Sequence, residues 1–318
     1  MKKKITIISV VLVSLLVLVF VAFSVYIGIA VVEGSTQLVT NEETMGVSDT
    51  FWETYNMDYD KFCEEYTIQK VELVSSFDGH TIPADLILAS GQTENNKTVI
   101  LVHGLGGNRY TNYPVAEMFL DKGYNILTYD QRSTNENTAE KTTFGYWEKY
   151  DLIDCITYIE SIAPEQIIGI WGTSFGGATT GLAMGYEDTD ARVQFVILDC
   201  PVSSMEWMVT EEMKHMDIGI PAGYMTWCGN IANKMMLGFT YKDADASVAM
   251  KDVETPVLII NSKIDEVTPY FMGCDIYEAI QSENKHIWTV EDSAHTEMWL
   301  DYNEEYVSTV NEFIEKYE

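Results

Sequence analysis

The chain has 318 residues, 47% hydrophobic and 21% charged, a balance that suits one large α/β domain plus an appendage and excludes a disordered chain. Its 49 acidic against 19 basic side chains give a formal net charge of -30, which repels polyanions and argues against nucleic acid as a partner. The five cysteines, Cys63, Cys155, Cys200, Cys228 and Cys274, lack C-x-x-C spacing, so neither a metal site of the zinc type nor a dense disulfide framework is expected.

Lys2, Lys3 and Lys4 precede an uncharged, almost wholly apolar run over residues 5–32. As a helix this run is roughly 42 Å long at about 1.5 Å per residue, more than the ~30 Å hydrocarbon core of a bilayer requires. A cleavable signal peptide has a shorter apolar stretch and a small-residue cleavage site, so the expectation is one transmembrane helix over 1–32 acting as an uncleaved signal anchor; secretion after cleavage is the alternative. With lysines on one flank and Glu33 on the other, the positive-inside tendency puts the amino terminus in the cytoplasm and the remainder of the chain outside.

Residues 33–50 are polar and read as a short stalk. Phe51, Trp52, Tyr55, Tyr59 and Phe62 then recur at helical spacing, which predicts an amphipathic helix packed on the body and completes a linking segment over 33–66. Thr67–Ser75 and Thr81–Ala89 alternate apolar and polar side chains around Asp78-Gly79, a hairpin signal. Apolar runs of strand length follow at Thr98–His103, Tyr124–Tyr129, Gln166–Trp171, Val193–Leu198, Pro256–Asn261 and His286–Val290. Such runs suit parallel strands buried on both faces.

Helices are predicted near 111–122, 147–162, 175–186 and 270–282, and Tyr306, Val307, Val310, Phe313, Ile314 and Tyr317 mark a closing amphipathic one. The pattern predicts an α/β fold: a doubly wound, mostly parallel sheet with an antiparallel hairpin at its start, over 67–318. About 50 residues, 202–251, interrupt the alternation. Seven of the fifteen methionines fall between Met205 and Met236, so this insert reads as a helical lid with an apolar underside, and Met205, Trp207 and Met208 are candidate substrate contacts. Packing of the lid onto the body is the plainer explanation of the same residues.

Gly172-Thr173-Ser174-Phe175-Gly176 follows a strand-like run and opens a Gly- and Ala-rich helix, the context in which a G-x-S-x-G turn exposes a nucleophilic serine. A serine hydroxyl needs a base, and the base needs a partner that fixes its tautomer. His295 lies in the loop after the last strand, and Asp265 in the loop after the preceding one, in the order Ser174, Asp265, His295. Asp199 and Glu266 are rival acids. His103-Gly104-Leu105-Gly106-Gly107 ends the first central strand, and the backbone N–H groups of Leu105 and Phe175 are the expected oxyanion donors, contributing roughly 3–4 kcal/mol each to transition-state stabilisation.

Taken together, these segments resemble the α/β-hydrolase superfamily over about residues 67–318, and more narrowly its bacterial membrane-anchored members that look like lipases, esterases or acylaminoacyl-type peptidases. Tyr129-Asp130-Gln131-Arg132 is similar to the family's D-x-R segment, with Ser133 and Thr134 replacing the usual Gly-His continuation. The resemblance implies hydrolysis of an ester, thioester or amide of a small-molecule acyl substrate through an acyl-enzyme, with no metal or organic cofactor. A serine peptidase, or a catalytically silent scaffold that binds a ligand or partner, are the alternatives.

Overall fold

In a computed structural model, which describes residues 2–90, 96–163 and 167–317, the apolar runs pair into one eight-stranded sheet. Gln166, expected to open a strand, lies outside the described residues. The strands are β1 (Thr67–Val74), β2 (Thr81–Leu88), β3 (Lys97–Val102), β4 (Asn125–Tyr129), β5 (Ile167–Thr173), β6 (Phe195–Asp199), β7 (Val257–Ser262) and β8 (Lys285–Val290), in the spatial order β1-β2-β4-β3-β5-β6-β7-β8. β1 and β2 pair antiparallel, as do β2 and β4, and every later pair is parallel. Asp78-Gly79 turns the hairpin, with Gly79 at φ 80°.

The helices of seven residues or more are α1 (Lys2–Thr36), α2 (Val47–Thr54), α3 (Tyr59–Glu65), α4 (Tyr113–Asp121), α5 (Glu148–Ile162), α6 (Phe175–Met184), α7 (Met205–His215), α8 (Ala222–Leu237), α9 (Phe271–Ala279) and α10 (Asn303–Tyr317). Successive strand residues face opposite sides of the sheet, so two cores form. Val99, Leu101 and Ile126 pack with α3, α4 and α10 on one side, and Ile100, Val102 and Leu127 with α5, α6 and α9 on the other. This double covering is why β6 and β7 are buried at every position and were legible as unbroken apolar runs.

The chain divides into two compact units. One is the body, Gln37–Ser204 with the segment from Ala244 onward; the other joins α1 to Met205–Asp243, which holds α7 and α8. Within the body the stems of the insert are tied together by an antiparallel bridge between Ser204 and Asp245 and by the Ala246 N–H donating to Ser203 O at 2.7 Å.

Two expectations for the linking segment change. The aromatic stripe forms two helices, because Asn56 turns left-handed at φ 52° and Asp58 caps α3 by accepting from the Lys61 N–H. The stalk is not a free spacer: Asn41 Nδ2 donates to Asn135 O and Asn137 O at 2.8 and 2.7 Å, and Asn108 Nδ2 donates to Thr44 O at 2.8 Å.

Candidate active site

β5 delivers Ser174 to a tight turn before α6. Ser174 adopts φ 53° and ψ −117°, a conformation side-chain-bearing residues rarely occupy. The turn is held on both backbone atoms: Ser174 N–H donates to Asp199 O at 2.8 Å, and Ser174 O accepts from Gly177 N–H at 3.0 Å and Val202 N–H at 3.1 Å. Crowding there leaves no room for side chains, since a Cβ on Gly176 would stand 2.1 Å from Val102 O. Gly176→Ala is therefore expected to cost ~3 kcal/mol of stability, lowering the melting temperature by at least about 6 °C in thermal denaturation. An unchanged melting temperature would refute this account of the turn.

The structure brings Ser174, His295 and Asp265 into one hydrogen-bonded chain. Ser174 Oγ lies 2.9 Å from His295 Nε2, and His295 Nδ1 lies 2.8 Å from Asp265 Oδ2. Asp265 Oδ1 accepts from the Val267 and Thr268 N–H groups at 2.9 and 2.8 Å. Burial pushes the Asp265 carboxyl up, but hydrogen bonding and charge from His295, with the Thr268 donors, outweigh it and hold the group below its ordinary value. The Thr268 hydroxyl stands 3.0 Å from both Asp265 Oδ2 and Cys200 O, bracing the acid's loop against the end of β6. Thr268 was not singled out in the sequence, where only its neighbourhood to Asp265 pointed to it.

The rival acids do not join this hydrogen-bonded chain, although Asp199 lines the same cavity. Glu266 is exposed. Asp199 is buried, and its Oδ2 accepts from Tyr306 OH at 2.9 Å while Trp171 Nε1 donates to the same tyrosine oxygen at 2.8 Å. Burial pushes Asp199 up to about 6.

The loop after β3 is built from a glycine turn and a neutral histidine. Gly107 N–H donates to Gly104 O at 3.2 Å, closing a turn in which Gly106 takes φ 80° and Leu105 occupies the exposed corner. Burial drives His103 down to about 4, so it is neutral, with Nδ1 2.8 Å from Gly104 O and Nε2 accepting from the Gln131 N–H at 3.0 Å. The Gln131 side chain donates back to His103 O at 2.5 Å and accepts from Thr179 Oγ1 at 2.7 Å. Phe175 opens α6, where a helix leaves its first N–H groups without intrahelical acceptors.

Next to this loop, Asp130 accepts from Arg109, and Arg132 pairs with Asp78 at 2.8 Å and Asp151 at 3.0 Å. Ser133 takes φ 61°, the left-handed geometry a glycine would adopt without strain, and its hydroxyl donates to Val39 O at 3.0 Å.

A cavity beside Ser174 and His295 is lined by Phe51, Tyr55, Leu105, Val115, Trp171 and Trp299, a mainly aromatic and apolar wall. Phe51 and Tyr55 belong to the linking segment, whose stripe was expected to pack on the body in preference to a membrane surface; Trp52, Tyr59 and Phe62 follow that expectation by packing with Tyr113. Met205, Trp207 and Met208 lie on α7 in the other unit, whereas the residues lining the cavity all come from the body. Cys200, Asp265 and His295 bring possible metal-ligating atoms within 4.8 Å of one another. They fit a metal poorly: Asp265 and His295 are hydrogen-bonded to each other, and burial pushes the Cys200 thiol well above its ordinary value, away from the thiolate a metal needs.

Residues 97–227 match the family model for the alpha/beta hydrolase fold. The solved esterase Pf2001 of Pyrococcus furiosus superposes with a TM-score of 0.65 at 21% identity, covering 82% of this chain and 96% of that one. The chain has the α/β-hydrolase fold. Among curated relatives, the chain is 26% identical over 219 residues to the uncharacterized protein YqkD of Bacillus subtilis, covering 69% of this chain and 71% of that one. It is 23% identical over 186 residues to the lysophosphatidylserine lipase ABHD12 of Rattus norvegicus, covering 58% of this chain and 45% of the relative.

Proposed function

We propose that this α/β-hydrolase is a serine hydrolase of the carboxylesterase or lipase type, anchored by α1 with its amino terminus in the cytoplasm and its body at the outer face of the membrane. The observation that carries the reading is the unbroken chain from Ser174 Oγ through His295 to Asp265. His295 Nε2 takes the Ser174 proton as Oγ attacks an acyl carbonyl, and the Leu105 and Phe175 N–H groups stabilise the oxyanion. The imidazolium then protonates the leaving group, and the same nitrogen activates water to release the acid from the acyl-enzyme. Asp265 stays ionised and keeps the Nδ1–H tautomer in place. An aromatic and apolar cavity wall suits an acyl chain, in keeping with the lipase activity in the name of the rat relative.

A fluorophosphonate probe tests the nucleophile directly. Full-length protein in membranes is expected to label, and Ser174→Ala is expected to lose all labelling. A folded wild type that stays unlabelled would replace this reading with that of a silent scaffold.

A further inference from the structure

α1 and α8 cross through small residues. A Cβ on Gly28 would stand 2.7 Å from Cys228 O and 2.9 Å from Ala232 Cβ, and one on Gly229 would stand 2.5 Å from Val31 Cγ1. Nearer the amino-terminal ends of both helices, Ser24 Oγ and Tyr224 OH are 2.7 Å apart, and the rings of Phe20 and Tyr224 lie 6.0 Å apart. Close backbone approach through glycines, supported by a hydroxyl pair, is how helices associate where lipid removes the hydrophobic drive.

The place of this crossing along α1 sets its depth. About 20 residues span a ~30 Å hydrocarbon core. The uncharged run ends at Val32, and a span of about 20 residues that ends there covers 13–32, so Phe20, Ser24, Gly28 and Val31 lie within it. The first turns of α8, which meet α1 at Ser24 and Gly28, then lie inside one headgroup boundary.

Beside the face that meets α1, α8 exposes an apolar stripe. Trp227, Ile231 and Met235 recur every four residues and are 54%, 44% and 82% exposed. In a chain with 49 Asp and Glu side chains, residues 218–242 contain none, and their charges are Lys234 and Lys242. An apolar stripe with a tryptophan, lysines and no acids matches a helix held in the interface of an anionic membrane.

We propose that α8 is a second membrane-contacting element, its Trp227–Ile231–Met235 face sunk into the leaflet that α1 leaves. The proposal rests on the reading of α1 as a membrane span. It is independent of the serine chemistry, so its test needs no substrate.

The full chain is reconstituted in vesicles of phosphatidylcholine and phosphatidylglycerol, with and without 6,7-dibrominated phosphatidylcholine. The emission difference between wild type and Trp227→Phe isolates one tryptophan of seven. That component is expected to lose at least half its intensity in brominated vesicles. Met235→Trp, at a site 82% exposed and so tolerant of change, adds an emission expected to be quenched in the same way. Retention of the protein through an alkaline carbonate wash reports on α1 separately. Retained protein with both emissions unquenched would overturn the proposal and spare the anchor, whereas protein released by the wash would overturn both.

Discussion

Ser174→Ala is expected to lower kcat for an activated ester roughly 10⁵- to 10⁶-fold, with a residual rate still about 10³-fold above water. The loss is that large because the hydroxyl is the only group of this residue that reacts. Its backbone bonds to Asp199 O, Gly177 N–H and Val202 N–H do not depend on Oγ, so the turn survives the change. The residual rate would come from the proposed Leu105 and Phe175 donors, which the change leaves in place for water attacking the bound carbonyl. Steady-state hydrolysis beside a thermal melt separates the two effects. A variant that melts like wild type and keeps more than a hundredth of its kcat would remove Ser174 as nucleophile.

Asp265→Asn is expected to reduce kcat about 10⁴-fold, whereas Asp199→Asn is expected to change it by less than about tenfold. The amide introduced in place of the Asp265 carboxylate would still hydrogen-bond to His295 but would favour the tautomer with its proton on Nε2, the nitrogen that must accept the Ser174 proton. Asp199 bonds to Tyr306, a contact an amide oxygen can keep. The two carboxyls also leave opposite marks on stability against pH. Asp265 is held below its ordinary value, so its contribution is present above the unfolded carboxylate value of about 3.9 and is lost as pH falls through the depressed folded value. Asp199 sits near 6, so between about 4 and 6 the folded state keeps a proton the unfolded chain has released, and stability falls as pH rises. Asp199→Asn is expected to flatten that slope in melts from pH 4 to 7. Activity lost in Asp199→Asn and kept in Asp265→Asn would reassign the acid.

The sheet and the tight turn at Ser174 were legible because each is written locally. β6 and β7 are buried on both faces and read as continuous apolar runs, and the Gly172–Gly176 spacing is imposed by crowding within a single turn. The lining of the cavity was not legible. Phe51 and Tyr55 share a period with Trp52, Tyr59 and Phe62, and nothing in that period marks the break at Asn56 that lets the two sets take different roles. The grouping of α1 with Met205–Asp243 was equally hidden, since it joins segments about 170 residues apart through Gly28 and Gly229, whose value shows only when their partners are known. Ser133 disguised a left-handed position by placing a serine where a glycine is ordinary.

The bridge between Ser204 and Asp245 bears on how such chains diversify. With both stems tied to each other by this bridge and by the Ala246–Ser203 hydrogen bond, the length and sequence between them answer to no strand register, and lengthening an already closed loop costs little, about 0.6 kcal/mol per doubling. Descendants can therefore exchange that excursion as a cassette, acquiring new cargo preferences or a new habitat while the inherited chemistry stays untouched.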